Sequence, residues 1–217
     1  KALNEEGYTS PTPIQKETIP LVLQGQDLMG MAQTGTGKTA AFTLPILQKL
    51  NANQSTEKAR DPRALILAPT RELAIQINES IRKYGQYIAI KHTVVFGGVK
   101  QGPQVKSLTR GMDVIVATPG RLLDLINQGV CSLNKIQFFV LDEADRMLDM
   151  GFIRDVEKVI KLLPKQRQTL FFSATMPESV IKFSETMLKS PVKVKVESTL
   201  TPVERISQSV IVIEPQD

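Results

Sequence analysis

Two short runs of this chain have the residue types and spacing to do chemistry: Ala32-Gln33-Thr34-Gly35-Thr36-Gly37-Lys38-Thr39 and, much further on, Asp142-Glu143-Ala144-Asp145. In the first, Gly35 and Gly37 permit positive φ and close backbone approach, so successive N–H groups can turn toward phosphate oxygens. A helix starting at Lys38 would add its partial positive charge at the same place. Lys38 would reach the β- and γ-phosphates and the Thr39 hydroxyl would sit on Mg²⁺. Thr34, Thr36 and Ala40 complete the expected nucleotide-binding set. The general phosphate-loop pattern has Gly where Ala32 stands, and a glycine-rich turn without a ligand is the bland alternative. In the second run, Asp142 is placed to hold Mg²⁺ through water, and Glu143 to orient or deprotonate an attacking water. Alone, such acids could merely complement a helix dipole. Both runs in one chain point to ATP (or ADP or AMP) with Mg²⁺, and to catalysis by Glu143, Asp142 and Lys38.

These groups need a scaffold that carries them on one rim. Short apolar runs near residues 27–31, 64–68, 91–96, 114–117, 137–142, 168–173 and 192–196 alternate with amphipathic segments. That pattern predicts a parallel sheet covered on both faces. Lys38 to Leu50 and Leu122 to Ile126 read as helices, and Phe152, Val156, Val159, Ile160 and Leu163 recur as a helical core face. Asn51 to Pro62 is polar and aperiodic, the pattern of a surface loop. The acids follow a central strand, where open α/β sheets bind ligands. Three other strand ends carry phosphate-compatible groups: Thr70 and Arg71, the Gly97-Gly98 pair, and Thr118-Pro119-Gly120-Arg121. Each could be ordinary helix capping; together they suggest a track along one sheet edge. Such a track reads backbone rather than bases, with weak sequence preference and clear salt dependence.

The chain has 217 residues, 41% hydrophobic, enough for one full core. Its net charge of +5 fits a polyanion partner without establishing one. The single cysteine, Cys131, excludes an internal disulfide and suits a reducing compartment. It has no partner for metal or nucleophile work and reads as filler. No run is long enough to span a bilayer and no leader opens the chain, so the reading is cytoplasmic with no membrane partner.

In its motifs the chain resembles the DEAD-box RNA helicases, along nearly its whole length. The tetrapeptide Asp142-Glu143-Ala144-Asp145 is that family's own, and its phosphate loop carries Ala at the place of Ala32. Gly7-Tyr8-Thr9-Ser10-Pro11-Thr12-Pro13-Ile14-Gln15 is similar to the adenine-reading Q motif. Pro69-Thr70-Arg71-Glu72-Leu73-Ala74, Gly97-Gly98 and Thr118-Pro119-Gly120-Arg121 are similar to the RNA-contacting motifs, and Ser173-Ala174-Thr175 to the one that links hydrolysis to strand separation. Residues 151–163 and Thr201-Pro202-Val203-Glu204-Arg205 are similar to bacterial RhlE-like members.

The resemblance implies a RecA-like P-loop domain of three αβα layers over residues 1–203, with the Q motif in 1–15. Residues 204–217, with the run Val210-Ile211-Val212-Ile213, would be a linker and the start of a second RecA-like domain. It also implies RNA, single-stranded or duplex, as partner, and a coupling role for Asp145, Ser173 and Thr175. An amide offers one donor and one acceptor edge to adenine N7 and N6, so Gln15 could select ATP, with Tyr8 as stacking ring. Without the resemblance, the residues favour Tyr8 as a core aromatic and Gln15 as a helix-surface residue.

The ends read as cut, with Lys1 to Glu6 as the last turn of a helix and the family's upstream aromatic ahead of Lys1. The family's second domain supplies arginines in a motif beginning His-Arg. Here the one histidine, His92, precedes Thr93 and reads as structural. The expectation is a monomeric fragment that binds nucleotide, hydrolyses it barely and does not unwind RNA. Two other readings are kept: an ATP-gated RNA clamp that pins partners, which would carry the same motifs, and a DNA helicase or translocase, against which the Asp142-Glu143-Ala144-Asp145 wording and the Gln15 motif speak.

Overall fold

The computed structural model describes residues 1–53 and 61–196. In chain order these form α1 (Ala2–Glu5), α2 (Pro13–Leu23), β1 (Leu28–Met31), α3 (Lys38–Ala52), β2 (Ala64–Leu67), α4 (Arg71–Tyr84), β3 (His92–Val95) and α5 (Gly102–Thr109). There follow β4 (Val114–Ala117), α6 (Pro119–Asn127), β5 (Phe138–Leu141), α7 (Ala144–Asp149), α8 (Ile153–Leu162), β6 (Gln168–Ser173), α9 (Glu178–Glu185) and β7 (Val192–Lys195). Among the described residues, seven strands make one sheet in the order β3-β4-β2-β5-β6-β1-β7. Every pairing is parallel.

The central strands β2, β4 and β5 are apolar throughout because both faces are covered. Side chains along the sheet alternate between two cores. Leu28, Ala64, Ile66, Val114, Val116, Phe138, Val140, Leu170 and Phe172 meet α2, α3 and α4 through residues such as Phe42, Ile46 and Ile77. Met29, Leu65, Leu67, Ile115, Phe139, Leu141 and Phe171 meet α6, α8 and α9 through Leu122, Val156, Val159 and Phe183. Gly30 has a specific reason to lack a side chain: a Cβ there would lie 2.6 Å from the Phe172 ring.

The strand starts are pinned by polar groups, of which Arg63, Asp113 and Gln168 are buried and Asp27 half-buried. Arg63 and Asp113 pair at 2.8 Å, and the second Asp113 oxygen accepts from the Lys91 amide. Arg63 also donates to the Leu50 carbonyl near the end of α3. Asp27 accepts from the Thr169 amide at 2.7 Å and the Lys189 amide at 2.9 Å. Gln168 donates to the carbonyls of Val22 and Gln26. These ties all lie opposite the motif-bearing edge.

The expected strands match the observed ones to within a residue at each end. α3 runs to Ala52, two residues into the stretch expected as loop. α6 starts at Pro119 rather than Leu122, since proline's fixed φ and missing N–H suit the first helical turn. The expected strand at Val210-Ile211-Val212-Ile213, the linker and the boundary at residue 203 lie outside the described residues. No helix among those described is long and apolar enough to cross a membrane.

Candidate functional site

Apart from residues 7–15, which lead into α2 ahead of β1, the singled-out motifs sit at the C-terminal ends of strands, on one edge of the sheet. β1 leads through Ala32 into the phosphate loop. Gly35 and Gly37 take φ of 84° and 94°, left-handed values that exclude most side chains. Gly37 then caps α3, so the Lys38, Thr39 and Ala40 amides fall in a first turn whose N–H groups have no intrahelical partner. The Thr36 hydroxyl donates to the Gln33 carbonyl at 2.8 Å and closes the loop on itself.

Lys38 is 6% exposed, and its ammonium has no hydrogen-bond partner. Its nearest acid, Asp142 Oδ1, lies 3.9 Å away, an ion pair too long for a hydrogen bond. A buried ammonium without a hydrogen-bond partner is costly, and phosphate oxygens are the acceptors its position fits. Burial pushes the Asp142 carboxyl up to about 6, although Lys38 opposes the shift; Glu143 adds to it. A dication would relieve the same penalty, so the donor set fits Mg²⁺ with its shell largely of water and phosphate oxygens.

Glu143, beside it, adopts φ 52° and ψ 52°, left-handed backbone that a non-glycine residue rarely enters. Its side chain is held from both sides: Thr34 Oγ1 donates to Oε1 at 3.3 Å and Arg146 Nη1 to Oε2 at 3.4 Å. Asp145 lies beyond. Its Oδ2 accepts from both the amide and the hydroxyl of Thr175 at 2.8 Å. Its own amide donates to Ser173 Oγ, which donates in turn to the Thr175 carbonyl. Burial alone would raise the Asp145 carboxyl, but the hydrogen bonds from Thr175, Ser173 and the Arg146 amide outweigh it and hold it below the usual value. The three expected coupling residues therefore form one closed polar link between β5 and β6.

On the other side of the phosphate loop, a cleft of about 160 Å³ is lined by Tyr8, Pro11, Gln15, Ile19 and Leu44. That is below the ~300–1,000 Å³ of whole-ligand pockets and suits a single flat ring system. The reading from residue type alone is reversed here: Gln15 is 3% exposed and Tyr8 36%. Gln15 Oε1 accepts from the Thr12 amide at the start of α2, and Nε2 donates to the Gly37 carbonyl at 3.2 Å. The amide keeps one lone pair and one N–H in reserve, so it can serve a base edge without giving up the phosphate loop.

The remaining motifs occupy the ends of β2, β3 and β4. Pro69 and Pro119 are buried and shape the chain rather than offering groups. Thr70 caps α4 by accepting from the Leu73 amide. Arg71 is half exposed, lies 5.9 Å over the Phe96 ring and pairs loosely with Glu72. Gly97 and Gly98 are exposed, and Gly98 takes φ of 79°. Thr118 donates its amide to the Val95 carbonyl, and Gly120 is exposed in the first turn of α6. Arg121 is mostly covered, with its Nη1 left without a hydrogen-bond partner. It is 15% exposed, donates to the Val99 carbonyl at 3.2 Å and faces Asp124 at 3.8 Å. These contacts brace the loop after Gly98.

A family model for DEAD/DEAH box helicases matches residues 12–183, a span that includes every strand except β7. The chain belongs to the DEAD/DEAH box helicase family. It is 46% identical over 210 residues to the ATP-dependent RNA helicase DeaD of Buchnera aphidicola subsp. Schizaphis graminum, covering 96% of this chain and 34% of that protein. The DeaD of Escherichia coli K12 is 45% identical over 96% of this chain and 33% of its own length. A Streptococcus pneumoniae DEAD-box ATP-dependent RNA helicase, CshA, is 43% identical over 99% and 40%. The chain thus spans about a third of the DeaD relatives. Among solved structures, a DEAD box protein from Methanococcus jannaschii superposes with a TM-score of 0.83 at 38% identity, covering 90% of this chain and 52% of that one. A hypothetical ATP-dependent RNA helicase from Sulfolobus tokodaii gives 0.82 at 36%, covering 90% and 55%. The all-parallel sheet is therefore the RecA-like domain of DEAD-box helicases.

Four features of the site were not read from the sequence. Arg146 on Glu143 was within reach of it, since the two are three apart on a helix start. The left-handed Glu143 and the Thr34 contact have no signature in residue order. Nor does Tyr84, whose hydroxyl lies 2.7 Å from that of Tyr8.

Proposed function

We propose that this domain is the ATP-binding lobe of an ATP-dependent RNA helicase, coupling ATP binding and hydrolysis to RNA clamping and local duplex opening. The observation that carries the reading is the buried Lys38 ammonium, without a hydrogen-bond partner, beneath a glycine loop and 3.9 Å from Asp142. The base enters the cleft beside Tyr8 and Gln15. The amides of residues 34–40 and the Lys38 ammonium take the phosphates. Mg²⁺, held with Thr39 and Asp142, would neutralise phosphate charge. Glu143 accepts a proton from the water that attacks the γ-phosphorus, and ADP leaves with phosphate released. The Thr34 and Arg146 contacts aim its carboxylate before substrate arrives. Asp145, Ser173 and Thr175 carry the change at the phosphate to the neighbouring strand end.

RNA lies along the ends of β2, β3 and β4, met by Arg71, the Thr70 and Thr118 turns and the bare backbone of Gly97, Gly98 and Gly120. A second RecA-like domain supplies the missing arginines in the whole protein, whose setting is the cytoplasm. The likeness of residues 151–163 to RhlE-like members belongs to the same proposal.

The test is ATP turnover by this chain with and without single-stranded RNA or DNA, beside nucleotide binding. The expected outcome is measurable ADP affinity with little turnover, because arginine fingers are worth ~10³–10⁵ in rate. Failure to bind ADP would overturn the reading, and strong RNA-stimulated turnover would overturn the account of the arginines. Stimulation by DNA as strong as by RNA would favour a DNA translocase.

A further inference from the structure

The last turn of α4 meets Tyr8, one of the residues that line the base cleft. Tyr84 ends that helix, and its ring meets Tyr8 edge-on with centroids 5.9 Å apart. The two hydroxyls lie at 2.7 Å. Around this pair, α1 and its flanks are fastened to the same end of α4. Lys83 pairs with Glu6 at 2.9 Å, Gln86 donates to Glu5 at 3.1 Å, and Tyr87 donates to the Glu5 carboxylate. The Lys1 ammonium sits 4.2 Å over the Tyr87 ring. Apart from Tyr8, none of these residues belongs to the motifs that carry the nucleotide chemistry.

They answer a problem the cleft poses. Tyr8 follows a helix of four residues and is open to solvent. A ring so placed would spend rotamer freedom each time it stacked on a base. A partner that fixes its rotamer beforehand removes that cost. Burial, then the bond to Tyr8, pushes the Tyr84 phenol well above its ordinary value. Its hydroxyl therefore stays protonated across the working range.

We propose that Tyr84 is a positioning residue for base recognition, holding the Tyr8 ring in its stacking pose through the paired hydroxyls. This rests on the reading that Tyr8 faces the base. α4 starts at Arg71 on the rim and spans about 21 Å at 1.5 Å per residue. The same rod thus carries a rim residue at one end and the base support at the other.

The test compares ADP with pyrophosphate, which has no base, as ligands of this chain and of Tyr84→Phe, Tyr8→Phe, Tyr8→Ala and the double Phe variant. Tyr84→Phe keeps the ring and removes one hydroxyl. ADP affinity should fall by ~2–10-fold, the worth of one hydrogen bond, with pyrophosphate affinity unchanged. The double Phe variant should lose no more than either single one, since both remove the same bond. If Tyr84→Phe binds ADP as tightly as the parent while Tyr8→Ala does not, the positioning role falls and the base reading stands. If Tyr8→Ala also leaves ADP binding intact, the base reading itself falls. Equal losses for ADP and pyrophosphate in Tyr84→Phe would mark a general structural role and overturn the proposal.

Discussion

The two halves of the functional edge are built differently. At the ends of β1, β5 and β6, the polar contacts join residues far apart in the chain: Gln15 with Gly37, Thr34 with Glu143, Asp145 with Thr175. At the ends of β2 and β4 they are mostly local, Thr70 with Leu73, Arg71 with Glu72, Arg121 with Asp124. The first half is partly desolvated and held in one arrangement before any ligand arrives, as charge stabilisation in catalysis requires. The second is exposed and loosely tied, which suits a backbone that must be gripped and released.

The largest expected effect breaks the first half. Lys38→Ala removes one member of a buried charge pair that, in the proposed function, also faces the phosphates, worth ~2–5 kcal/mol at such positions. ADP affinity measured by calorimetry should fall at least about 30-fold, with RNA affinity little changed. Equal loss of both would erase the contrast between the halves.

Asp145→Asn tests whether the first half is held by charge. The Asp145 carboxyl is held below its ordinary value, so its contribution to stability is present above the unfolded value near ~3.9 and is lost as pH falls through the lower, folded one. The parent should lose melting temperature on acidification that Asp145→Asn does not lose, and the two curves should converge below about pH 4. Parallel curves would mean that the link is held by shape alone.

The smallest effect sharpens the second half. Arg71→Ala should lower the slope of log affinity for single-stranded RNA against log salt by about 1, the signature of one phosphate contact. ADP binding should be unaffected. An unchanged slope would move the phosphate contact to backbone amides such as those near Gly98 and Gly120.

The same division governs what was legible in the sequence. Strand positions were readable because a strand buried on both faces is apolar at every residue, as Ala64 to Leu67 and Val114 to Ala117 are. The phosphate loop and the acids were readable because their chemistry constrains residue order. Burial of Gln15 and exposure of Tyr8 were not, because they depend on how α2 lies against the loop before Lys38. Nor were the contacts that hold Arg121, for a related reason. Its partner, the Val99 carbonyl, carries no side-chain signal and stands in a different loop.

The pins at the strand starts set where this domain can change. Arg63, Asp113, Asp27 and Gln168 fasten the edge that carries no chemistry. Loops at the opposite tips can then be rewritten without re-registering the sheet that presents them. Amide exchange should follow the same gradient, slowest at Ala64 and Val114 and fastest near Gly97. A scaffold anchored at its base and free at its tips is one that natural selection can retool for new substrates while leaving the foundation alone.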